Sequence, residues 1–139
     1  MYTLLVADDF ALDRRQMTQA VESFTDLPLE LIGECEDGVE ALELIRDLKP
    51  DILLCDIEMP HFSGLELADR LRSEHSDIRI IFCSLYDRVH YLKTAISVHS
   101  DGYIMKPFTR EELHDCIAHV LLDLIHLDTQ QTELQTLRL

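Results

Sequence analysis

The sequence predicts a doubly wound α/β domain, in which helices cover both faces of a five-stranded parallel sheet. Short, mainly apolar runs alternate five times with helical periodicities, and the connections are short, which is typical of successive strand–helix units with right-handed crossovers. With 139 residues and 47% hydrophobic content, the chain has room for one domain with a substantial core. We expect five strands and five helices.

Five short runs supply the predicted strands. The second run alternates apolar residues with Glu30 and Glu34, so it is expected at an edge of the sheet with one face exposed. The other runs are nearly continuous in apolar residues, as in strands that are buried on both faces. We predict strands at residues 4–7, 29–34, 52–55, 78–83 and 102–105.

Capping signals mark the starts of the helices between these strands. In each of three boxes, a side chain that can cap a helix precedes a glutamate by three residues. The boxes pair Asp37 with Glu40, Ser63 with Glu66, and Thr109 with Glu112. We predict helices at about residues 11–24, 38–48, 64–74, 87–96 and 110–126, with Asp87 as the cap of the fourth.

Polar residues follow four of the predicted strands. Asp8 and Asp9 follow the first strand, Asp56 the third, Ser84 the fourth and Lys106 the fifth. The carboxyl ends of parallel strands meet at one edge of the sheet, which is where open α/β sheets bind ligands. We therefore expect three carboxylates, one hydroxyl and one ammonium group to converge there.

These residue types are suited to accepting a phosphoryl group. Three crowded carboxylates repel one another, and a divalent cation removes the conflict; oxygen ligands favour Mg²⁺. An aspartate can act as a nucleophile towards phosphorus and form an aspartyl-phosphate. Lys106 would neutralise charge on the transferred group, and Ser84 would donate to one of its oxygens.

Four motifs in the expected order carry a resemblance to a known family. They are Asp8-Asp9 after an apolar strand, Asp56-Ile57-Glu58-Met59-Pro60 with Ser63-Gly64-Leu65, Ser84, and Tyr103 followed by Lys106-Pro107. Over about residues 2–125 the chain resembles the receiver domain of bacterial two-component response regulators. The resemblance implies a flavodoxin-like sheet with strand order 2-1-3-4-5.

The resemblance also implies roles for individual residues. Asp56 would accept a phosphoryl group from the phosphohistidine of a sensor histidine kinase. Asp8 and Asp9 would hold Mg²⁺ together with Asp56 and the backbone carbonyl of Glu58, while the side chain of Glu58 would either enter the site or point to solvent. Lys106 would pair with the phosphate, and its bond to Pro107 is commonly cis in the family.

A switch of partner surface is the further implication. Ser84 would bond the phosphoryl oxygen, Tyr103 would turn inward, and the face formed by the fourth helix, fifth strand and fifth helix would change its partner preference. A homodimer through that face or through the C-terminal helix is an open expectation. The start Met1-Tyr2-Thr3 and the pair Tyr86-Asp87 resemble receivers that precede an AraC-type DNA-binding output domain.

Two positions depart from the family pattern. The residue after the switch hydroxyl is generally small, whereas here it is Leu85. We expect this bulky side chain to restrict access of water and small phosphodonors to the site. His99-Ser100 stand where the family usually has Gly-Ala, and we attach no mechanism to that difference.

Composition excludes several other classes of function. Twenty-seven acidic and twelve basic residues give a net charge of −15, so we expect no direct binding of nucleic acid by this chain. Four widely spaced cysteines indicate unpaired thiols in a reducing compartment, and no apolar run is long enough for a membrane span. We therefore expect a cytoplasmic protein.

The last residues leave alternatives open. We divide the chain into a receiver domain over residues 1–126 and a segment over residues 127–139 that leads towards an absent output domain. Leu127, Gln131 and Leu134 continue an a/d heptad spacing, which would allow a helical extension. Threonines at 129, 132 and 136 are poor helix formers, so a flexible linker is the preferred alternative.

A phosphorylated receiver would be a signalling module that catalyses only its own phosphorylation and dephosphorylation. Two other functions compete with this expectation. A pseudo-receiver would use the same fold as an interaction module without phosphorylation, but the complete set of acids argues against it. An aspartate-nucleophile phosphohydrolase of the haloacid-dehalogenase type would have D-x-D at its nucleophile, where this chain has Asp56-Ile57-Glu58, and would need room for a substrate cap.

Overall fold

The computed structural model describes residues 1–85, 93 and 100–137. Its five strands form one sheet in the order β2-β1-β3-β4-β5, and every neighbouring pair is parallel. The strands are β1 (Tyr2–Ala7), β2 (Leu29–Cys35), β3 (Ile52–Asp56), β4 (Arg79–Leu85) and β5 (Gly102–Lys106). This topology confirms the predicted flavodoxin-like α/β class.

Four helices occur among the described residues. They are α1 (Ala11–Ser23), α2 (Gly38–Leu48), α3 (Gly64–Ser73) and the C-terminal helix (Arg110–Leu137). The predicted fourth helix, at 87–96, lies outside the described residues apart from Lys93, and so does His99. None of the described helices is long and apolar enough to cross a membrane.

The predicted capping boxes begin three of these helices. The backbone N–H of Glu40 donates to Asp37 at 2.8 Å, and that of Glu66 donates to Ser63 at 3.2 Å. In front of the C-terminal helix the box is complete, because the backbone N–H of Glu112 donates to the Thr109 hydroxyl and the N–H of Thr109 donates to the Glu112 carboxylate. These bonds satisfy N–H groups that have no partner within the helix.

Two apolar cores lie on opposite faces of the sheet. One packs beneath α2 and α3 and includes Leu53 and Phe82, whereas the other packs beneath α1 and the C-terminal helix and includes Leu54 and Ile117. Consecutive residues of β3 thus face opposite cores, as the period of a strand requires. The four cysteines are free thiols, and all but Cys116 are buried.

The C-terminal helix differs from the expectation. It does not end near residue 126 but continues to Leu137, so residues 127–137 form a helical extension, where a flexible linker was the preferred expectation. The hydroxyls of Thr129, Thr132 and Thr136 each donate to the carbonyl four residues earlier, at 2.9, 3.0 and 3.0 Å. These bonds keep the threonine hydroxyls inside the helical pattern.

A long-range contact also anchors the start of this extension. The hydroxyl of Tyr2, at the start of β1, donates to the carboxylate of Asp128. Beyond this contact the helix is exposed, and Leu134 is 55% accessible to solvent. The extension is therefore attached to the domain at its first turn, and its apolar stripe continues outwards without cover from the described residues.

Candidate phosphoacceptor site

Four polar side chains converge at the carboxyl edge of the sheet. Asp8 follows β1, Asp56 ends β3, Ser84 lies near the end of β4, and Lys106 ends β5. All four are buried or nearly so, although they are surrounded by strands of the apolar core. The strand β4 extends two residues beyond its predicted end, because Ser84 and Leu85 still pair with β5.

The loop after β3 is tightly fixed beside these groups. The backbone N–H of Glu58 donates to a carboxylate oxygen of Asp56 at 3.1 Å, and the N–H of Gly64 donates to the carbonyl of Ile57 at 2.7 Å. A Cβ atom on Gly64 would lie 2.4 Å from the carbonyl oxygen of Asp56, so a side chain at position 64 would push the loop away. Glycine therefore permits the close return of the chain that positions Asp56 and Glu58.

Three carboxylates form a compact acidic cluster. Oxygen atoms of Asp8, Asp9 and Asp56 all lie within 4.8 Å of one another. Asp8 is oriented by the backbone N–H of Phe10, which donates to it at 2.9 Å. The number, type and spacing of these donors fit Mg²⁺, which binds protein sites through one or a few carboxylates and retains several waters.

Lys106 is the cationic centre of the site. Its Nζ donates to Asp8 at 2.7 Å, to Asp13 at 2.8 Å and to Asp56 at 3.0 Å. Burial alone would lower the pKa of Lys106, but the hydrogen bonds to Asp13 and Asp8, together with the charge of Asp56, raise it above its ordinary value. The ammonium group is therefore held firmly in its charged form.

Asp56 is poorly solvated, and this changes its acidity. Burial raises the pKa of Asp56 to about 6, even though the charge of Lys106 acts in the opposite direction. The charge of Asp8 adds to the increase. Because burial and the charge of Asp8 disfavour the ionised carboxylate, binding of a cation, a proton or a covalent partner by Asp56 is favoured.

Asp13 was not predicted as a member of the site. It lies in the first turn of α1, and its carboxylate contacts Lys106 from the side of that helix. The available signal was its place in the first turn of the helix that directly follows Asp8 and Asp9. That signal was weak, because acidic residues in a first helical turn usually need no other explanation.

A cavity of about 230 Å³ opens from the acidic cluster to solvent. Leu85 and Phe10 lie on its wall and are 53% and 55% exposed, so two apolar side chains flank an otherwise polar cavity. The remaining lining residues are Asp9, Asp13, Asp56, Glu58, Ser84 and Lys106.

Tyr103 does not line this cavity. Its ring packs against the core beneath α2 and α3, and Tyr103 pairs directly with Phe82 of the neighbouring strand β4. The Tyr103 hydroxyl is buried and has no hydrogen-bond partner among the described residues, and burial raises its pKa. The peptide bond that joins Lys106 to Pro107 is cis.

A larger cavity, of about 470 Å³, lies at the opposite edge of the sheet between the C-terminal helix and the loops after α2 and α3. Its lining includes Pro50, Asp77 and Gln131 but none of the predicted site residues. The predicted site residues therefore lie at the smaller cavity, which is lined by carboxylates and by the ammonium group of Lys106.

This fold and site define a class of signalling domain. Residues 4–118 match the family model for the response regulator receiver domain, and the chain belongs to that family. The assignment leaves no support for a phosphohydrolase of the haloacid-dehalogenase type.

Particular relatives extend the assignment. The chain is 32% identical to the transcriptional regulatory protein BtsR of Escherichia coli, and the match covers 86% of this chain and 48% of BtsR. It is 31% identical to the chemotaxis protein CheY of Halobacterium salinarum, and that match covers 85% of this chain and 95% of CheY. It thus spans about half of BtsR and nearly all of CheY. The receiver domain of AraT from Geobacillus stearothermophilus superposes with a TM-score of 0.84 at 31% identity, covering 91% of this chain and 98% of that one.

Proposed function

We propose that Asp56 is the phosphoacceptor of this receiver domain and that a sensor histidine kinase is the donor. The observation that carries the proposal is the contact of Lys106 with Asp56 at 3.0 Å, directly beside three acids whose oxygens lie within 4.8 Å of one another. A nucleophilic carboxylate, a candidate cation site and a fixed ammonium group are thus within reach of one reacting phosphoryl group.

The transfer step follows from these positions. A carboxylate oxygen of Asp56 forms a bond to phosphorus while the phosphorus–nitrogen bond of the donor phosphohistidine breaks, and the leaving imidazole nitrogen takes a proton from solvent. Lys106 then donates to an oxygen of the transferred group, and the Ser84 hydroxyl donates to another.

Asp8, Asp9 and Asp56 would hold Mg²⁺, with the backbone carbonyl of Glu58 as a further ligand. The ion would neutralise negative charge on the phosphoryl oxygens, which the acidic cavity would otherwise repel. The carboxylates themselves contribute by position: Asp8 is fixed by the Phe10 N–H, and Asp56 by the Glu58 N–H and by Lys106.

Tyr103 and Ser84 would carry the signal away from the site. Ser84 precedes Leu85 at the end of β4, and Tyr103 lies beside Phe82 on the neighbouring strand. Movement of Ser84 towards a phosphoryl oxygen would change the packing next to Tyr103, whose buried hydroxyl lacks a partner among the described residues. Such a local change can bias a two-state packing element and expose a different partner surface.

At the level of the whole protein, we infer a cytoplasmic regulator in which this domain controls an output segment beyond residue 139. The chain matches only 48% of BtsR, a transcriptional regulatory protein, which leaves room for such a segment. With a net charge of −15, any contact with DNA would belong to that segment. An AraC-type output domain and a homodimer through the C-terminal helix remain expectations from the sequence.

Labelling by a histidine kinase tests the proposal. Incubation with Mg²⁺ and an autophosphorylated kinase should add one phosphoryl group to the wild-type protein and to the control Asp123→Ala, whose altered residue is exposed on the C-terminal helix. Asp56→Ala should remain unlabelled. If several kinases leave the wild-type protein unlabelled, the domain is a pseudo-receiver.

A further inference from the structure

Asp13 contacts Lys106 but is not a member of the acidic cluster formed by Asp8, Asp9 and Asp56. Its carboxylate accepts from Lys106 at 2.8 Å, and it is not a member of the set of acids whose oxygens lie within 4.8 Å of one another. Its side chain is 30% exposed and lines the cavity, whereas the side chain of Asp8 is 0% exposed. An incoming group would meet Asp13 as it approaches Lys106.

Helix capping does not account for Asp13. An acid at this position, three residues after the N-cap Phe10, commonly accepts from the N-cap backbone N–H. Here the Phe10 N–H donates to Asp8 instead, and no side chain caps α1. The carboxylate of Asp13 is bonded to Lys106, which is 93 residues away in the chain.

All the donors of Lys106 are occupied in this arrangement. An ammonium group has three protons, and Lys106 contacts three carboxylates, those of Asp8, Asp13 and Asp56. Asp8 and Asp56 are also candidate ligands of the cation, whereas Asp13 has the lysine as its partner. A phosphoryl group therefore approaches a lysine whose charge is already partly neutralised, and Asp13 adds negative charge to the wall of the cavity.

We propose that Asp13 is a positioning residue that competes with the incoming phosphoryl group for Lys106 and so limits how readily Asp56 is phosphorylated. This inference rests on the proposed function of Asp56. Asp13 holds Lys106 in place while the site is unphosphorylated. When the phosphorus–oxygen bond to Asp56 forms and the phosphorus–nitrogen bond of the phosphodonor breaks, Lys106 either turns one N–H group from Asp13 to the phosphoryl group or shares it between the two.

The test compares rates of phosphorylation in three variants. Asp13→Asn keeps the size of the side chain but removes its charge, Asp13→Glu keeps the charge, and Glu22→Gln removes an exposed charge from the same helix far from the cavity. With Mg²⁺ and either an autophosphorylated histidine kinase or phosphoramidate, we expect Asp13→Asn to react about tenfold faster than wild type, because a charge-assisted bond no longer has to be exchanged. Asp13→Glu and Glu22→Gln should stay within about twofold of wild type.

The outcomes distinguish failure of the role proposed for Asp13 from failure of the function proposed for Asp56. Faster labelling of Asp13→Asn alone supports the competition, because loss of a merely structural contact would slow the reaction or leave it unchanged. Equal or slower labelling of Asp13→Asn, in a protein whose wild type is labelled on Asp56, overturns the role of Asp13 and leaves the phosphoacceptor intact. If neither wild type nor Asp13→Asn is labelled by any donor, the proposed function fails and the role of Asp13 fails with it.

An equilibrium measurement separates binding from reaction. Beryllofluoride with Mg²⁺ mimics a phosphoryl group on a carboxylate, and ¹⁹F NMR reports its bound fraction. We expect Asp13→Asn to bind it about tenfold more tightly than wild type and Glu22→Gln to bind it as wild type does. Unchanged affinity in Asp13→Asn would contradict the competition for Lys106.

Discussion

The Nζ atom of Lys106 lies 3.0 Å from a carboxylate oxygen of Asp56, although 50 residues separate the two in the chain. The parallel strands β3 and β5 both end at this edge of the sheet, with β4 between them, and so bring the two side chains together. The lysine lowers the pKa of Asp56, but burial has the larger effect and raises it to about 6. The ionised carboxylate is therefore held in a place that stabilises it less than water does.

Replacing Asp56 by asparagine should stabilise the metal-free protein at neutral pH. The folded-state pKa of about 6 lies above the ordinary aspartate value of 3.8, so ionisation of Asp56 opposes folding at high pH and the cost disappears below about pH 4. After a discount for partial exposure, we expect Asp56→Asn to raise the free energy of unfolding by about 1–2 kcal/mol at pH 7.5. Urea unfolding with a chelator at pH 7.5 and 4.0 measures this; a variant less stable than wild type at pH 7.5 would contradict it.

Mg²⁺ should stabilise the folded protein through the acidic cluster. An ion that binds only the folded state adds about 2.7 kcal/mol when its free concentration is 100 times the dissociation constant. We expect the melting temperature to rise with Mg²⁺ in the wild type and much less in Asp9→Asn, which loses one carboxylate of the cluster. The exposed-site variant Asp123→Asn should respond as wild type does, and an equal response from all three proteins would place the effect elsewhere.

Replacing Leu85 by alanine should open the cavity beside Asp56. Leu85 lies on the wall of the cavity and is 53% exposed, next to the proposed switch hydroxyl of Ser84. We expect Leu85→Ala to increase both the rate of phosphorylation by small donors and the rate at which water removes the phosphoryl group, each about threefold to tenfold. Leu122→Ala, an exposed leucine on the C-terminal helix, is the control. Unchanged rates in Leu85→Ala would refute the access role.

The His114 contacts predict a pH-dependent contribution to stability. Hydrogen bonds to Asp115, at 3.1 Å, and to Asp26, at 2.7 Å, raise the pKa of His114 above 6.5. Its stabilising effect should be complete below about pH 6.5 and be lost as the pH rises through the folded-state value. His114→Gln should therefore destabilise the protein more at pH 6.0 than at pH 8.5. A pH-independent effect of His114→Gln would exclude the ion pair as its cause.

The sequence predicted those parts of the site that strand ends determine. Asp8, Asp56 and Lys106 each stand at the end of an apolar run, and a parallel sheet brings such ends together whatever the details of packing. Asp13 could not be found in this way, because its contact with Lys106 depends on how α1 crosses the sheet and on which acid accepts the Phe10 N–H.

The end of the C-terminal helix was missed for a similar reason. Low helix propensity at Thr129 and its neighbours favoured a linker, but their hydroxyls bond within the helix, and Tyr2 contacts Asp128 across 126 residues of sequence. Local propensity carries no information about such a distant partner. The predicted fourth helix lies largely outside the described residues, so its existence stays a prediction.

Identification of the modified residue tests most directly the central claim that Asp56 is the phosphoacceptor. Borohydride reduces an acyl phosphate and converts a phosphorylated aspartate into homoserine, which peptide mass spectrometry can locate. After reaction with Mg²⁺ and a phosphorylated histidine kinase, we predict homoserine at position 56 alone. Homoserine at position 8, 9 or 13 instead, or none in a protein that carries a phosphoryl group, would contradict the assignment of Asp56 as the phosphoacceptor.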